Sequence, residues 1–143
     1  MRYGVLDLFK YGVFGDLNKE FKSEALLNDF GVANDVKKNK KTIIYKYDYL
    51  EITFLGNRAY SLLIDELNYG YETNNSTIYN LVKPLLSIKI SGFKNLLNIN
   101  RIRWHIDKEN TFSDQVCIET QSKCKIYFNA NDLVIRSVLF KWE

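Results

Sequence analysis

His105 is the only histidine in this 143-residue chain, and Cys117 and Cys124 are its only cysteines. These are the side chains that could do nucleophilic, acid–base or metal chemistry. A general base needs a positioned partner, and Asp107 stands two residues from His105, the spacing that puts both on one face of a strand. A metal site needs several His, Cys or carboxylate ligands converging, and one histidine cannot build a His-His or His-Cys set. A cysteine nucleophile needs an adjacent base, and neither cysteine has one in sequence. No Gly-rich phosphate loop, GxSxG or HExxH pattern occurs. A small enzyme built on His105 and Asp107 is thus a weak reading. The chain is expected to be no enzyme, with no catalytic residues, no metal and no cofactor. The densest charge cluster is Lys37-Lys38-Asn39-Lys40-Lys41. It could touch phosphate, but it lacks the interleaved aromatics of a single-strand binder, and a solvated loop explains it as well.

The elements that must position these residues follow from periodicity. Val5, Leu6, Leu8 and Phe9 suggest a short helix over 3–11, broken by Gly12 and Gly15. Asp16 is a plausible N-cap for a second helix carrying Leu17, Phe21, Leu26, Leu27 and Phe30, with Gly31 as its stop. A polar stretch over 34–41 reads as loop. Period-two patterning then marks three strands: Ile43/Tyr45/Tyr47, Leu50/Ile52/Phe54 and Tyr60/Leu62/Ile64. A two-residue loop at 48–49 and a three-residue loop at 55–57 bring all three apolar sets to one face. Residues 77–86 read as a helix bent by Pro84, and 91–98 as another. Ile102, Trp104 and Ile106 alternate briefly. Val116/Ile118 and Cys124/Ile126/Phe128 form a hairpin that needs an odd loop, residues 120–122, so that Cys124 faces the core and Cys117 faces out. A disulfide between them is therefore disfavoured. The last strand, 133–142, is apolar at both parities.

The two halves echo each other. Leu26-Leu27-Asn28 returns as Leu96-Leu97-Asn98, and Ile52-Thr53-Phe54 as Ile126-Tyr127-Phe128. The expected architecture is α+β. Two αα-βββ halves, 1–67 and 76–143, are joined by a linker at 68–75 into one compact unit of antiparallel strands with helices on one face. Either an internal duplication or chance explains the echo.

Composition is that of a globular protein: 46% hydrophobic, 26% charged and 15% aromatic. Net charge is +3, all of it contributed by 71–143, too weak a bias to mark a nucleic-acid stripe. No apolar run approaches the ~20 residues of a membrane span. The N-terminal stretch lacks the apolar core of a signal peptide. Two cysteines make no disulfide framework. A cytoplasmic location away from the membrane is the expectation.

By parity the outward sheet face carries Lys46, Glu51, Thr53, Ser61, Asp65, Glu119, Lys123, Lys125 and Tyr127, with Tyr49 at a turn. Tyrosine with both charge signs suits a protein-binding surface, although a solvated sheet face is the plain alternative. The run Ile44-Tyr45-Lys46-Tyr47-Asp48-Tyr49-Leu50-Glu51-Ile52-Thr53-Phe54 resembles a pattern of small bacterial proteins. The stretch from Ile102-Arg103-Trp104 through Gln115-Val116 to Ile126-Tyr127-Phe128 resembles immunity proteins of contact-dependent toxin systems. The doubled outline is similar to that of the β-lactamase inhibitor protein. The resemblance implies a stoichiometric inhibitor that covers the active site of a cognate protein toxin. The residues expected to meet that partner are Tyr49, Glu51, Thr53, Lys123, Lys125 and Tyr127. Immunity proteins to nucleases are usually acidic, so a charge of +3 argues against a nuclease target. The alternative is a nucleic-acid-binding adaptor using the Lys37–Lys41 loop.

Overall fold

A computed structural model describes residues 4–15 and 23–142. Asp16, Leu17 and Phe21, expected to open the second helix, lie outside them.

Helix α1 (Val5–Tyr11) buries Val5, Leu8 and Phe9, one face of a 3.6-residue repeat. Gly12 ends it at φ +70, and a Cβ there would stand 3.0 Å from the Phe140 ring, so glycine suits both the conformation and the space. Helix α2 (Glu24–Phe30) buries Leu26 and Phe30. Helix α3 (Ser76–Val82) is capped by Asn75, whose Oδ1 accepts from the Ile78 N–H at 3.1 Å. The Asn75 amide also donates to the Phe30 carbonyl at 2.8 Å, so one side chain serves the end of α2 and the start of α3. The expected helix through residue 86 stops instead at Val82. Pro84 has no N–H to offer the Asn80 carbonyl, and the chain continues as tight turns through Ile88. Helix α4 (Ile90–Ile99) buries Phe93 and Leu97. Among the described residues no helix is long and apolar enough to cross a membrane.

The strands are β1 (Asp35–Lys38), β2 (Thr42–Lys46), β3 (Leu50–Leu55), β4 (Arg58–Ile64), β5 (Trp104–Ile106), β6 (Gln115–Thr120), β7 (Lys125–Asn129) and β8 (Ile135–Lys141). They form one antiparallel sheet in the order β1-β2-β3-β4-β8-β7-β6-β5. The fold is α+β as expected, and each half carries four strands rather than three. The additional strand of the first half is β1, within the polar stretch expected as loop. Each of its residues is exposed, so it has no alternation to betray it.

The halves are related across the β4–β8 pair. Leu62 pairs with Phe140, Leu63 with Leu139 and Ile64 with Val138. Moving every residue of the first and last pairs by 76 positions exchanges them, and Leu63–Leu139 maps onto itself. The irregularities match too. The β3–β4 register shifts at Thr53/Phe54, and the β7–β8 register shifts at Tyr127/Phe128. Bulges at equivalent places are specific features, and they make the two halves alike in topology.

The first bulge corrects one expectation. The β3–β4 turn has two residues, not three: Leu55 pairs with Arg58 and Phe54 with Ala59, after which Thr53 pairs with Ser61. Tyr60 is the additional residue and lies 41% exposed, not inward. The bulge then restores Leu62 and Ile64 to the core side.

Leu50, Ile52, Phe54, Ile126 and Phe128 are buried against the helices. Phe93 of α4 meets Phe9 of α1 and Phe128 of β7 edge-on, each at 5.4 Å between ring centres. One hydrophobic cluster takes residues from all four helices and both halves of the sheet.

Equivalent positions should carry equivalent load. Phe54→Ala and Phe128→Ala are each expected to cost about 3–5 kcal/mol, as large-to-small changes in a packed core. Denaturant unfolding reads this directly, and a loss below about 1 kcal/mol at either position would contradict the shared core.

Candidate functional site: the uncovered sheet face

Side chains alternate across the sheet, so whatever lies opposite the helix-facing set forms a second face. One transverse row of that face crosses all eight strands. It runs Asp35, Lys46, Glu51, Leu63, Leu139, Lys125, Glu119, His105, each paired with the next. The two central positions are apolar. On either side the charges alternate, and the repeat places opposite signs at equivalent positions: Lys46 against Glu119, Glu51 against Lys125.

Cross-strand neighbours of opposite charge hold the row in order. Lys46 Nζ lies 3.1 Å from Glu51 Oε1. That hydrogen bond to the carboxylate raises the lysine pKa. His105 Nε2 lies 3.1 Å from Glu119 Oε1, with most of the imidazole exposed. His105 therefore meets Glu119 across the strands, and not Asp107 along its own. Lys125 Nζ instead reaches Asp107 Oδ2 at 3.0 Å. The Asn110 amide donates to the same carboxylate oxygen at 2.8 Å. Those bonds, from Asn110 first and then Lys125, hold the Asp107 carboxyl below the usual range.

Asp107 fixes the turn 107–111 over the outer face of β6. The Thr111 hydroxyl donates to the Asp107 carbonyl and accepts from the Cys117 N–H. Cys117 thus has the outward parity expected of it and is nevertheless buried. Cys124 is buried on the core side, and both thiols are free. Burial, with Asp107 adding to it, pushes the Cys117 thiol up to about 11.

The six expected contact residues do not all share this face. Glu51 and Lys125 stand in the central row. Thr53 and Tyr127 stand in neighbouring rows, Tyr127 between Cys117 and Ser137. Lys123 is exposed at the tip of the β6–β7 turn, at φ +67. Tyr49, expected as an exposed anchor, is 4% exposed. It occupies a two-residue hairpin turn at φ +69. Its ring stacks on Tyr71 at 4.2 Å, its hydroxyl donates to the Tyr71 carbonyl, and its N–H donates to the Tyr71 hydroxyl at 3.0 Å. These contacts offset the strain of a left-handed tyrosine and pin the segment that joins the two halves. Tyr49 is a structural residue. Asp65 also leaves the face: it lines an open trough of about 850 Å³ with Glu66, Asp114 and Asp132 at the far ends of β4 and β7.

Lys37 and Lys38 lie on the edge strand β1, with Lys40 and Lys41 in its turn, all exposed. Charged side chains on an edge strand discourage pairing with another chain.

Leu63 and Leu139 are the face residues that went unselected in the sequence. The signal was present: Leu63 is apolar at the outward parity of its strand, and 133–142 is apolar at both.

In the native protein neither thiol should react with a disulfide reagent at pH 8, and both should become reactive in denaturant. The native state keeps the Cys117 proton up to about 11, against an ordinary 9.0. Its contribution to stability is therefore complete below that ordinary value and is lost as pH rises through the native one. Fast labelling of native Cys117 would contradict its placement under the 107–111 turn.

No family model, no curated protein and no solved structure matches this chain in comparisons of all three kinds.

Proposed function

We propose that this chain is a stoichiometric protein-binding inhibitor, a cytoplasmic immunity protein that neutralises a cognate protein toxin through the uncovered face of its sheet. The observation that carries the reading is the Leu63–Leu139 pair. Two half-buried leucines sit at the centre of a face whose flanks alternate in charge. An apolar centre within a polar surround is the anatomy of a protein interface. Tyr127 lies two residues along β7 from Lys125, the neighbour of Leu139, and offers large area at low rotamer cost. Inhibition of this kind requires a complementary surface and no bond chemistry. The resemblance of the strand motifs to immunity proteins supports the same reading. The exposed lysines of the β1–β2 hairpin favour a nucleic-acid adaptor instead, and a steep fall of affinity with salt would identify one. Their place on an edge strand already explains them.

Tyr127→Ala should weaken binding to the toxin encoded beside the gene by about 2 kcal/mol or more, as loss of an interface anchor. Calorimetric titration measures the affinity, and the melting temperature shows whether the fold is retained. Wild-type affinity in a folded Tyr127→Ala protein removes this residue from the interface. A chain with no neighbouring toxin and no capturable protein partner is not an immunity protein.

A further inference from the structure

At the end of the sheet where the β6–β7 turn meets the last residues of β8, a groove of about 630 Å³ opens, with Tyr11, Tyr127, Leu139 and Trp142 in its lining. Lys123, Lys125 and Lys141 all line it. Their charges are not equally committed. Lys125 is held by Asp107 at 3.0 Å. Lys123 and Lys141 are exposed and have no ion pair among the described residues. Glu119, the one carboxylate among the described residues of the lining, lies 3.1 Å from the His105 imidazole.

Two further donors of the lining are either closed to solvent or already used. The Trp142 indole nitrogen is buried and has no partner among the described residues. An indole N–H only donates, and a buried donor left unmade is costly. The hydroxyl of Ser122, also in the lining, already donates to the Leu8 carbonyl at 2.7 Å. Two ammonium groups without ion pairs among the described residues thus stand with the ring of Tyr127 and the side chain of Leu139 in one lining.

We propose that this groove seats an acidic segment of the partner protein, with a carboxylate between Lys123 and Lys141 and an adjacent apolar side chain against Tyr127 and Leu139. The assignment rests on the protein-binding reading above and names the chemistry of the partner. Two ammonium groups beside an apolar floor complement an Asp or Glu flanked by an apolar residue. A nucleic-acid backbone is the poorer occupant. Glu51, Glu119 and Asp107 stand on the same face, and Asp65, Glu66, Asp114 and Asp132 ring the trough at the opposite end of β7. A phosphate chain running along the strands would meet all of these carboxylates, whereas a discrete acidic segment in the groove meets Glu119 alone, which lies 3.1 Å from the His105 imidazole.

The test is an NMR titration with a capped peptide of alternating glutamate and tyrosine, its glutamine counterpart, and oligothymidylate. The Trp142 indole N–H is the reporter, together with the amides of Lys123, Lys125 and Lys141. The glutamate peptide should shift these resonances saturably, the glutamine peptide should not, and Lys123→Glu/Lys141→Glu should weaken the glutamate peptide roughly tenfold. The proposal is overturned by an absent response to the glutamate peptide, by an equal response to both peptides, or by tighter binding of oligothymidylate at the same resonances. The cognate toxin separates this proposal from the broader one. If the double variant binds toxin as wild type does while Tyr127→Ala binds weakly, the groove assignment fails and the face reading stands. If the peptide response holds and no toxin partner exists, the immunity reading fails and the groove stands as an acidic-peptide site.

Discussion

The structure depends on the pairing of β4 with β8. That contact joins two four-stranded sheets into one and places Leu62 beside Phe140 and Ile64 beside Val138 on the helix-covered side. Small sheets with one layer of short helices bury little apolar surface, and joining two of them shares one core between both. Phe93 shows the sharing at residue level, touching Phe9 from the first half and Phe128 from the second. The same pairing fixes the opposite face. Because Leu63 meets Leu139 on the axis of the repeat, the face has an apolar centre, and the charged positions fall symmetrically about it. Stability and the candidate binding surface thus follow from one register.

The repeat preserves geometry and inverts charge. Glu51 and Lys125 occupy equivalent positions, as do Lys46 and Glu119, and the bulges at Thr53/Phe54 and Tyr127/Phe128 coincide. Core positions are constrained by volume, so both halves keep Ile and Phe there. Face positions are constrained by their cross-strand neighbour, and either order of a charged pair satisfies it. The two ends of the face are therefore electrostatically different. One end holds a closed Lys46–Glu51 pair. The other leaves Lys123 and Lys141 without carboxylate partners among the described residues.

Much of this was legible in the residues. Strict alternation in Leu50/Ile52/Phe54 and Ile126/Phe128 is a period-two signal, and it placed the core side of both halves. The odd length of the β6–β7 loop followed from the same parity, but the loop spans 121–123 rather than 120–122: Glu119 pairs with Lys125 and Thr120 closes on Cys124. Besides the exposed strand β1, three features were not legible, each for a physical reason. Tyr60 left the core because a bulge changes parity without changing composition. Tyr49 looked like an exposed turn residue because its partner Tyr71 lies 22 residues away, and stacking across that distance leaves no local pattern. Cys117 was rightly given the outward side, but the turn that buries it depends on Asp107 meeting Lys125 across two strands.

The central claim is that the Leu63–Leu139 pair is the apolar centre of a protein interface. The most direct measurement is the affinity of Leu63→Glu for the toxin proposed as its partner, with the melting temperature as control. A charge at the centre of a desolvated interface should reduce affinity by about thirtyfold or more while the half-exposed position keeps the fold intact. A folded Leu63→Glu protein that binds the toxin with wild-type affinity would contradict the account.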